Sequence, residues 1–132
     1  MKKLLITFVL LLTTVLTFGQ DSPFYVRAET FQMGSKGVDS KVTWDDSTYR
    51  SCNVLIKLNN SDVTIFSKVA QYYHVISYDG KMDNGASRWY CSDSLGRTCN
   101  IYLMNIKNSP GYLSLTVEFS DLVWFYICEP SK

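Results

Sequence analysis

Apolar and polar residues alternate one by one along much of the chain, a pattern typical of strands with one face in a core and the other in water. The clearest stretch is residues 113–119, where Leu, Leu, Val and Phe alternate with Ser, Thr and Glu. Alternation also predicts strands at 54–58 and 98–105, and 63–66 follows a turn. Residues 71–78 and 87–92 are rich in aromatic and β-branched residues, and 123–128 is apolar on both faces, so these are predicted strands too. Weaker candidates lie at 24–33 and 41–44. No segment after the first twenty residues has the periodicity of a helix.

Turn-forming residues separate these runs at short intervals. Asn59-Asn60-Ser61-Asp62 lies between two strand candidates, as do Asp79-Gly80 and Asp93-Ser94-Leu95-Gly96. Consecutive strands with short connections favour an antiparallel meander, and closing such a sheet removes its exposed edges. We predict an all-β fold of roughly eight short strands, a single antiparallel meander that forms a small barrel or half-barrel. The alternative is a two-layer β-sandwich.

The N-terminus has the anatomy of a secretory signal peptide. Lys2 and Lys3 precede an apolar run, and Thr17 and Gly19 provide the small residues of a cleavage site. The run is about sixteen residues long, whereas a spanning helix needs about twenty, so a membrane anchor is the less favoured alternative. We predict a signal peptide at 1–19 and a single β domain at 20–132. The mature protein would be secreted or periplasmic, with no stable membrane anchor after cleavage.

Charge narrows the range of partners. Without Lys2 and Lys3, eleven basic residues remain against twelve acidic ones, and they form no blocks. A nearly neutral chain has no electrostatic basis for binding nucleic acid or an anionic membrane. The expected partner is therefore an unknown small molecule or protein.

Four cysteines in a small exported chain predict two disulfides. A type I turn over 93–96, with Gly96 in the left-handed position, would place Cys91 opposite Cys99. The remaining pair is Cys52 with Cys128, which would meet if their strands were neighbours. The alternative, a zinc site, is disfavoured because no C-x-x-C motif is present, so no metal is expected.

Candidates for catalysis are weak. His74 is the only histidine, it lies within a predicted strand, and no G-x-S-x-G motif accompanies it. A strand histidine at the sheet surface is the simpler interpretation. A carboxylate pair could serve a small hydrolase, but the candidate residues mostly lie beside turns, where Asp is common for backbone reasons. They are Asp45, Asp46, Asp79, Asp83, Asp93 and Asp121. We expect no catalytic residue and no cofactor.

Aromatic residues are the one feature that suggests a function. The chain has nine Tyr, three Trp and seven Phe. Three predicted strands carry aromatic pairs, interpreted as placing rings on both strand faces: Tyr72 with Tyr73, Trp89 with Tyr90, and Trp124 with Tyr126. One face would be core, and the other could line a cavity or form a recognition patch. The alternative is plain packing. The candidate ligand- or partner-binding residues are Tyr72, His74, Trp89, Tyr90, Trp124 and Tyr126.

Two segments carry a resemblance to known proteins. The leader ending in LTFGQ resembles those of exported proteins from Bacteroidetes-type bacteria. The stretches WYCSDSLGRTCNIYLM and LSLTVEFSDLVWFYIC resemble small secreted β-rich proteins of that group that have no assigned function. The resemblance covers residues 54–128 and implies periplasmic or extracellular localisation, with no catalytic residue carried over.

These observations support three hypotheses. The first is an exported non-enzymatic binding or interaction protein that uses an aromatic sheet face or a barrel mouth. The second is a small secreted hydrolase with a carboxylate pair. The third is a structural component of the cell envelope. A cavity with two converging carboxylates would favour the hydrolase, and a flat apolar face would favour a partner-binding role.

Overall fold

A computed structural model describes residues 23–39, 41–82 and 85–130. The signal peptide predicted at 1–19 and the carboxylate candidate Asp83 lie outside these ranges. The strands are β1 (Phe24–Lys36), β2 (Val42–Leu58), β3 (Asp62–Ile65), β4 (Gln71–Lys81), β5 (Ser87–Asp93), β6 (Thr98–Asn105), β7 (Leu113–Glu118) and β8 (Leu122–Pro130). Within the described ranges, no helix is long and apolar enough to cross a membrane.

The strands form a closed antiparallel barrel in which each strand pairs with its neighbours in sequence. The first strand closes the barrel because it pairs with β2 on one side and with β8 on the other. Closure satisfies the backbone groups that an open meander would leave at its two edges. The predicted all-β barrel is confirmed, and the sandwich alternative is wrong.

The second strand differs from its prediction. Residues 41–44 and 54–58 were expected to be separate strands, but both lie in β2, whose middle is exposed and polar. The register with β1 slips there, since Phe31 pairs with Arg50 and Met33 with Asp45. This bulge holds together through local polar contacts, such as the Thr48 hydroxyl donating to the Asp45 carbonyl at 2.6 Å. A bulged, solvated segment has no alternation of apolar and polar residues, so the sequence pattern predicted two strands where the structure has one.

Alternate residues of the strands fill the barrel interior. The core contains fully buried aliphatic side chains from β1, β2, β3, β6 and β7: Val26, Ile56, Leu58, Val63, Ile65, Ile101, Leu115 and Val117. The larger rings of Tyr73, Trp89 and Tyr126 pack against them. An eight-stranded barrel is just wide enough for side chains to fill it or for one small ligand to enter. Here buried side chains form one hydrophobic cluster in the interior.

Two tight turns have the geometry that their residues predict. The Asn59 side chain accepts hydrogen bonds from the backbone N–H groups of Ser61 at 2.9 Å and Asp62 at 2.7 Å. At the turn between β5 and β6, Gly96 has a φ of 83° and its N–H donates to the Asp93 carbonyl. A positive φ is costly for other residues, so glycine fixes this turn and the register beyond it.

The barrel wall opens where β3 is too short. This strand has four residues, and its last bond to β2 runs from the Phe66 N–H to the Leu55 carbonyl at 2.9 Å. From that point β2 continues towards Val42 with β1 as its partner and, in the described chain, no strand on its other side. The chain between β3 and β4 crosses the gap as a loop. The result is a side opening into one end of the barrel.

Candidate functional site

The six residues predicted to bind a ligand lie in different parts of the barrel. Tyr72 and His74 are exposed on the outer wall of β4, and Tyr90 is half-buried on the outside of β5. Trp89 is buried with the core, and its ring also packs against that of the exposed Tyr78 with centroids 4.9 Å apart. The structure therefore does not unite the six residues in one site.

The expectation that Trp124 and Tyr126 lie on opposite faces of β8 is wrong. Trp124 pairs with Val117 and Tyr126 with Leu115, and both partners belong to the fully buried core. Positions two apart on a strand share a face, so both rings point into the barrel. Only Tyr126 lies at the side opening.

We call the space behind the side opening the mouth cavity. It has a volume of about 290 Å³. Its walls come from β1, β2, β8, the β3–β4 loop and the first residue of β4: Phe31, Arg50, Cys52, Val54, Tyr126, Ser67, Lys68 and Gln71. The rings of Phe31 and Tyr126 pack together with centroids 5.1 Å apart. Most of the lining is apolar, as in typical small-molecule pockets.

A hydrogen-bond chain closes the β4 side of the mouth cavity. The Tyr73 hydroxyl donates to Gln71 Oε1 at 2.7 Å, and Gln71 Nε2 donates to Ser67 Oγ at 3.1 Å. Ser67 Oγ in turn donates to the Val69 carbonyl at 2.8 Å. These bonds hold the β3–β4 loop against β4, so the loop forms a fixed wall of the cavity.

Positive charge dominates the mouth cavity. Burial raises the pKa of Tyr126 to about 12, although a hydrogen bond with Gln71 partly opposes the rise. Burial also raises the pKa of the Cys52 thiol. Both groups are neutral near pH 7, and no Asp or Glu is among the lining residues. Arg50 and Lys68 are exposed at the opening, so the charged groups of this lining are both cationic.

A second concave surface lies on the outer wall of β3, β4 and β5, and we call it the outer groove. Its volume is about 450 Å³, and its lining is Ser61, Asp62, Thr64, Tyr72, Tyr73, His74, Ser92, Asp93 and Ser94. His74 is the direct cross-strand partner of both Asp62 and Ser92. Side chains at such positions have neighbouring Cβ atoms, which places an acid, an imidazole and a hydroxyl in one row.

The outer groove contains two carboxylates, Asp62 and Asp93, but Asp93 already has several partners. Its Oδ1 accepts from the backbone N–H groups of Leu95 at 3.0 Å and Arg97 at 2.8 Å, and its Oδ2 accepts from Arg97 Nε at 2.9 Å. Desolvation opposes ionisation, yet these bonds outweigh it and lower the pKa of Asp93. A carboxylate held ionised in this way is poorly suited to be the general acid of a hydrolase.

Elsewhere in the described residues, carboxylates also serve the structure. Asp79 forms an ion pair with Arg88, and Asp45 Oδ1 accepts from the Ser47 hydroxyl at 2.6 Å. No group of three metal-ligating side chains occurs within the described ranges.

Neither predicted disulfide is present, and all four cysteines are free thiols. Cys91 does lie directly opposite Cys99, as the turn geometry predicts. The premise for the other pair is wrong: Cys52 is in β2 and Cys128 in β8, and β1 lies between these strands. Two strand spacings are about 9–10 Å, and Cα atoms more than about 7 Å apart require backbone movement before a disulfide can form.

Comparisons with known proteins give no relative for this chain: no protein-family model matches it, and neither does any curated protein or solved structure. The geometry of the two concave surfaces is therefore the basis for a functional assignment.

Sequence reasoning found one residue of the mouth cavity as a binding candidate, Tyr126, and missed its polar and cationic partners. Arg50 lies in the polar middle of β2, and Lys68 lies in a loop with no motif around it. Their proximity follows from the shortness of β3, which no local pattern encodes. Tyr72 and His74 of the outer groove were candidates as a member of an aromatic pair and as the only histidine. They are two residues apart on β4, so strand alternation places them on one face.

Proposed function

We propose that the protein is an exported, non-enzymatic binding protein that takes one small apolar molecule into the mouth cavity. The observation that carries this proposal is a cavity of about 290 Å³ that opens sideways from an otherwise packed barrel. The volume is at the small end of ordinary ligand pockets, which corresponds to a single ring or a short chain. Export is supported by the N-terminal leader pattern.

The walls favour an apolar guest. Phe31, Val54 and Tyr126 offer carbon surface, and the nearby polar groups of Gln71 and Ser67 already bond to each other. Water in such a space gains few hydrogen bonds, so replacing it with a hydrocarbon group is favourable. A structural component of the envelope would not need such a cavity.

The hydrolase alternative has less support. Asp62 and Asp93 share the outer groove, but both oxygens of Asp93 accept hydrogen bonds within its own hairpin. One oxygen of Asp62 is buried with no hydrogen-bond partner in the described chain. Within the described chain, no hydrogen bond joins the two carboxylates.

Titration with 1-octanol, followed by ¹H–¹⁵N NMR, tests the proposed function. We expect shift changes at the amides of Cys52, Val54 and Gln71, and little change at His74. Val54→Phe fills the cavity and should weaken octanol binding at least about tenfold, the loss of roughly 1.4 kcal/mol. Val38→Phe is the matched control because Val38 is fully exposed in the turn after β1. Absence of saturable shifts, or shifts confined to the outer groove, would contradict the proposal.

A further inference from the structure

The rim of the mouth cavity carries two positive charges, and no acidic side chain lines the cavity to balance them. Arg50 of β2 and Lys68 of the β3–β4 loop both line the mouth cavity, and both are exposed. A purely apolar ligand would gain nothing from two cations there, since both side chains could remain solvated.

Neither cation is neutralised within the described chain. The three ion pairs found there are Lys36 with Glu118, Arg88 with Asp79, and Arg97 with Asp93. Arg50 donates from Nε to the Thr48 carbonyl at 3.4 Å, a weak bond that orients the side chain and leaves its charge uncompensated. A guanidinium fork can bind an anionic group through two parallel hydrogen bonds, and an ammonium adds a point charge.

The inner part of the mouth cavity cannot supply the counter-charge. Its titratable groups are Cys52 and Tyr126, and burial raises the pKa of each. They remain protonated near neutral pH and offer no anion to Arg50 or Lys68. The negative group that would complement the rim must come from a ligand.

We infer that the ligand of the mouth cavity is a small apolar anion, which places its hydrocarbon part between Phe31, Val54 and Tyr126 and its anionic group between Arg50 and Lys68. This inference rests on the proposed function and adds the chemical class of the ligand. The hydrocarbon part enters through the gap beside β3, and the anionic group stays at the opening. Such an arrangement keeps every charge partly hydrated and avoids the cost of burying an ion.

Octanoate and 1-octanol form a matched pair of probes, because they share a chain length and differ in charge. We expect octanoate to bind roughly three- to tenfold more tightly at low ionic strength, the range for one or two exposed ion pairs. The preference should shrink as salt is added, because exposed charges are screened. Isothermal titration calorimetry at two salt concentrations gives the affinity ratio of the two probes and its salt dependence. NMR shift mapping shows whether both probes bind in the mouth cavity.

Arg50→Gln combined with Lys68→Gln should abolish the preference for octanoate, so that the variant binds the two probes with equal affinity. Lys107→Gln is the control, since it removes an exposed positive charge from the β6–β7 loop at the opposite end of the barrel. Equal binding of the two probes to the parent protein would overturn the inference and leave the proposed function standing. A preference for octanoate that survives the double substitution would also overturn it. Failure of both probes to bind would refute the proposed function itself.

Discussion

The mouth cavity and the outer groove are both concave surfaces of one barrel, but they arise from different causes. The groove lies on an intact wall, where cross-strand neighbours such as Asp62, His74 and Ser92 stand side by side. The cavity exists because a strand is missing from the wall beyond Ile65. The outer groove is therefore formed by side chains on a regular sheet. The mouth cavity is formed by a gap in the sheet that exposes part of the core.

The chemistry of the two regions differs in the same way. The lining of the mouth cavity combines the buried ring of Tyr126 and the half-buried ring of Phe31 with two cations and no acid. The outer groove has two acids, and the one in the β5–β6 hairpin has its pKa lowered by hydrogen bonds from its own turn. The other difference is the surrounding charge: a ligand in the mouth cavity meets two cations, whereas a ligand in the outer groove meets two carboxylates. We therefore expect a small apolar ligand to bind in the mouth cavity and not in the outer groove.

The largest difference between the two regions should be in the loss of unfolding free energy when an aromatic ring is removed from each. Tyr126→Ala deletes an interior ring and should lower the free energy of unfolding by about 3–5 kcal/mol. Tyr72 is 61% exposed in the outer groove, and Tyr72→Ala should change stability by no more than about 0.5 kcal/mol. Urea denaturation of both variants checks this. Comparable losses would mean that the outer groove is packed in solution.

Cys52 lines the mouth cavity, whereas Cys91 and Cys99 are buried in the core, and these thiols should respond differently to oxidation. Cys91 and Cys99 face each other across β5 and β6, and a disulfide there should raise stability by roughly 2–3 kcal/mol in the chain-entropy model. Cys52 lines the mouth cavity and should remain reduced, because β1 separates it from Cys128. Non-reducing peptide mapping after iodoacetamide treatment tests both expectations. A Cys52–Cys128 peptide would show that the barrel wall rearranges.

Alkaline pH should lower the free energy of unfolding, because buried thiols and phenols resist ionisation in the folded protein. Burial raises the pKa of Cys91, Cys128 and Tyr126 to about 12, with a smaller repulsion from Cys52 adding to the rise at Cys128. These groups keep their protons in the folded protein and lose them near their ordinary pKa values when it unfolds. Their contribution to the free energy of unfolding is therefore complete below about pH 9, and it is lost as the pH rises towards 12.

Tyr126→Phe tests this pH dependence. Without the phenol, the fall in unfolding free energy between pH 9 and pH 12 should be smaller by an amount on the order of 2 kcal/mol. Urea midpoints measured across this range for the parent and the variant give the comparison. Identical slopes would show that the phenol of Tyr126 ionises at the same pH in the folded and unfolded protein.

The smallest effect is expected at the histidine of the outer groove. His74→Gln keeps a polar side chain on an exposed strand position, so stability should change by no more than about 0.5 kcal/mol. Binding of octanoate in the mouth cavity should also be unchanged, as measured by calorimetry. A hundredfold loss of any activity, with circular dichroism unaltered, would instead assign a catalytic or metal-binding role to the row of Asp62, His74 and Ser92.

Strand alternation by itself determined most of the architecture. It predicted the period-two strands, and the turn residues predicted the hairpin at Asn59 and the turn at Gly96 that places Cys91 opposite Cys99. These features depend on residues close together in sequence: side chains alternate between faces, and a few turn residues set the register. Tyr72 and His74 could be placed on one face by the same reasoning.

The tertiary structure decided how long each strand remains in the wall, and with it the position of the mouth cavity. The polar middle of β2 concealed a continuous strand, and the four residues of β3 gave no sign that the wall would open beside them. Arg50, Lys68 and Tyr126 come from distant parts of the chain and meet only after the barrel closes. Closure also places β1 between Cys52 and Cys128. Such juxtapositions depend on the pairing of whole strands, a long-range property that a local pattern of apolar and polar residues does not contain.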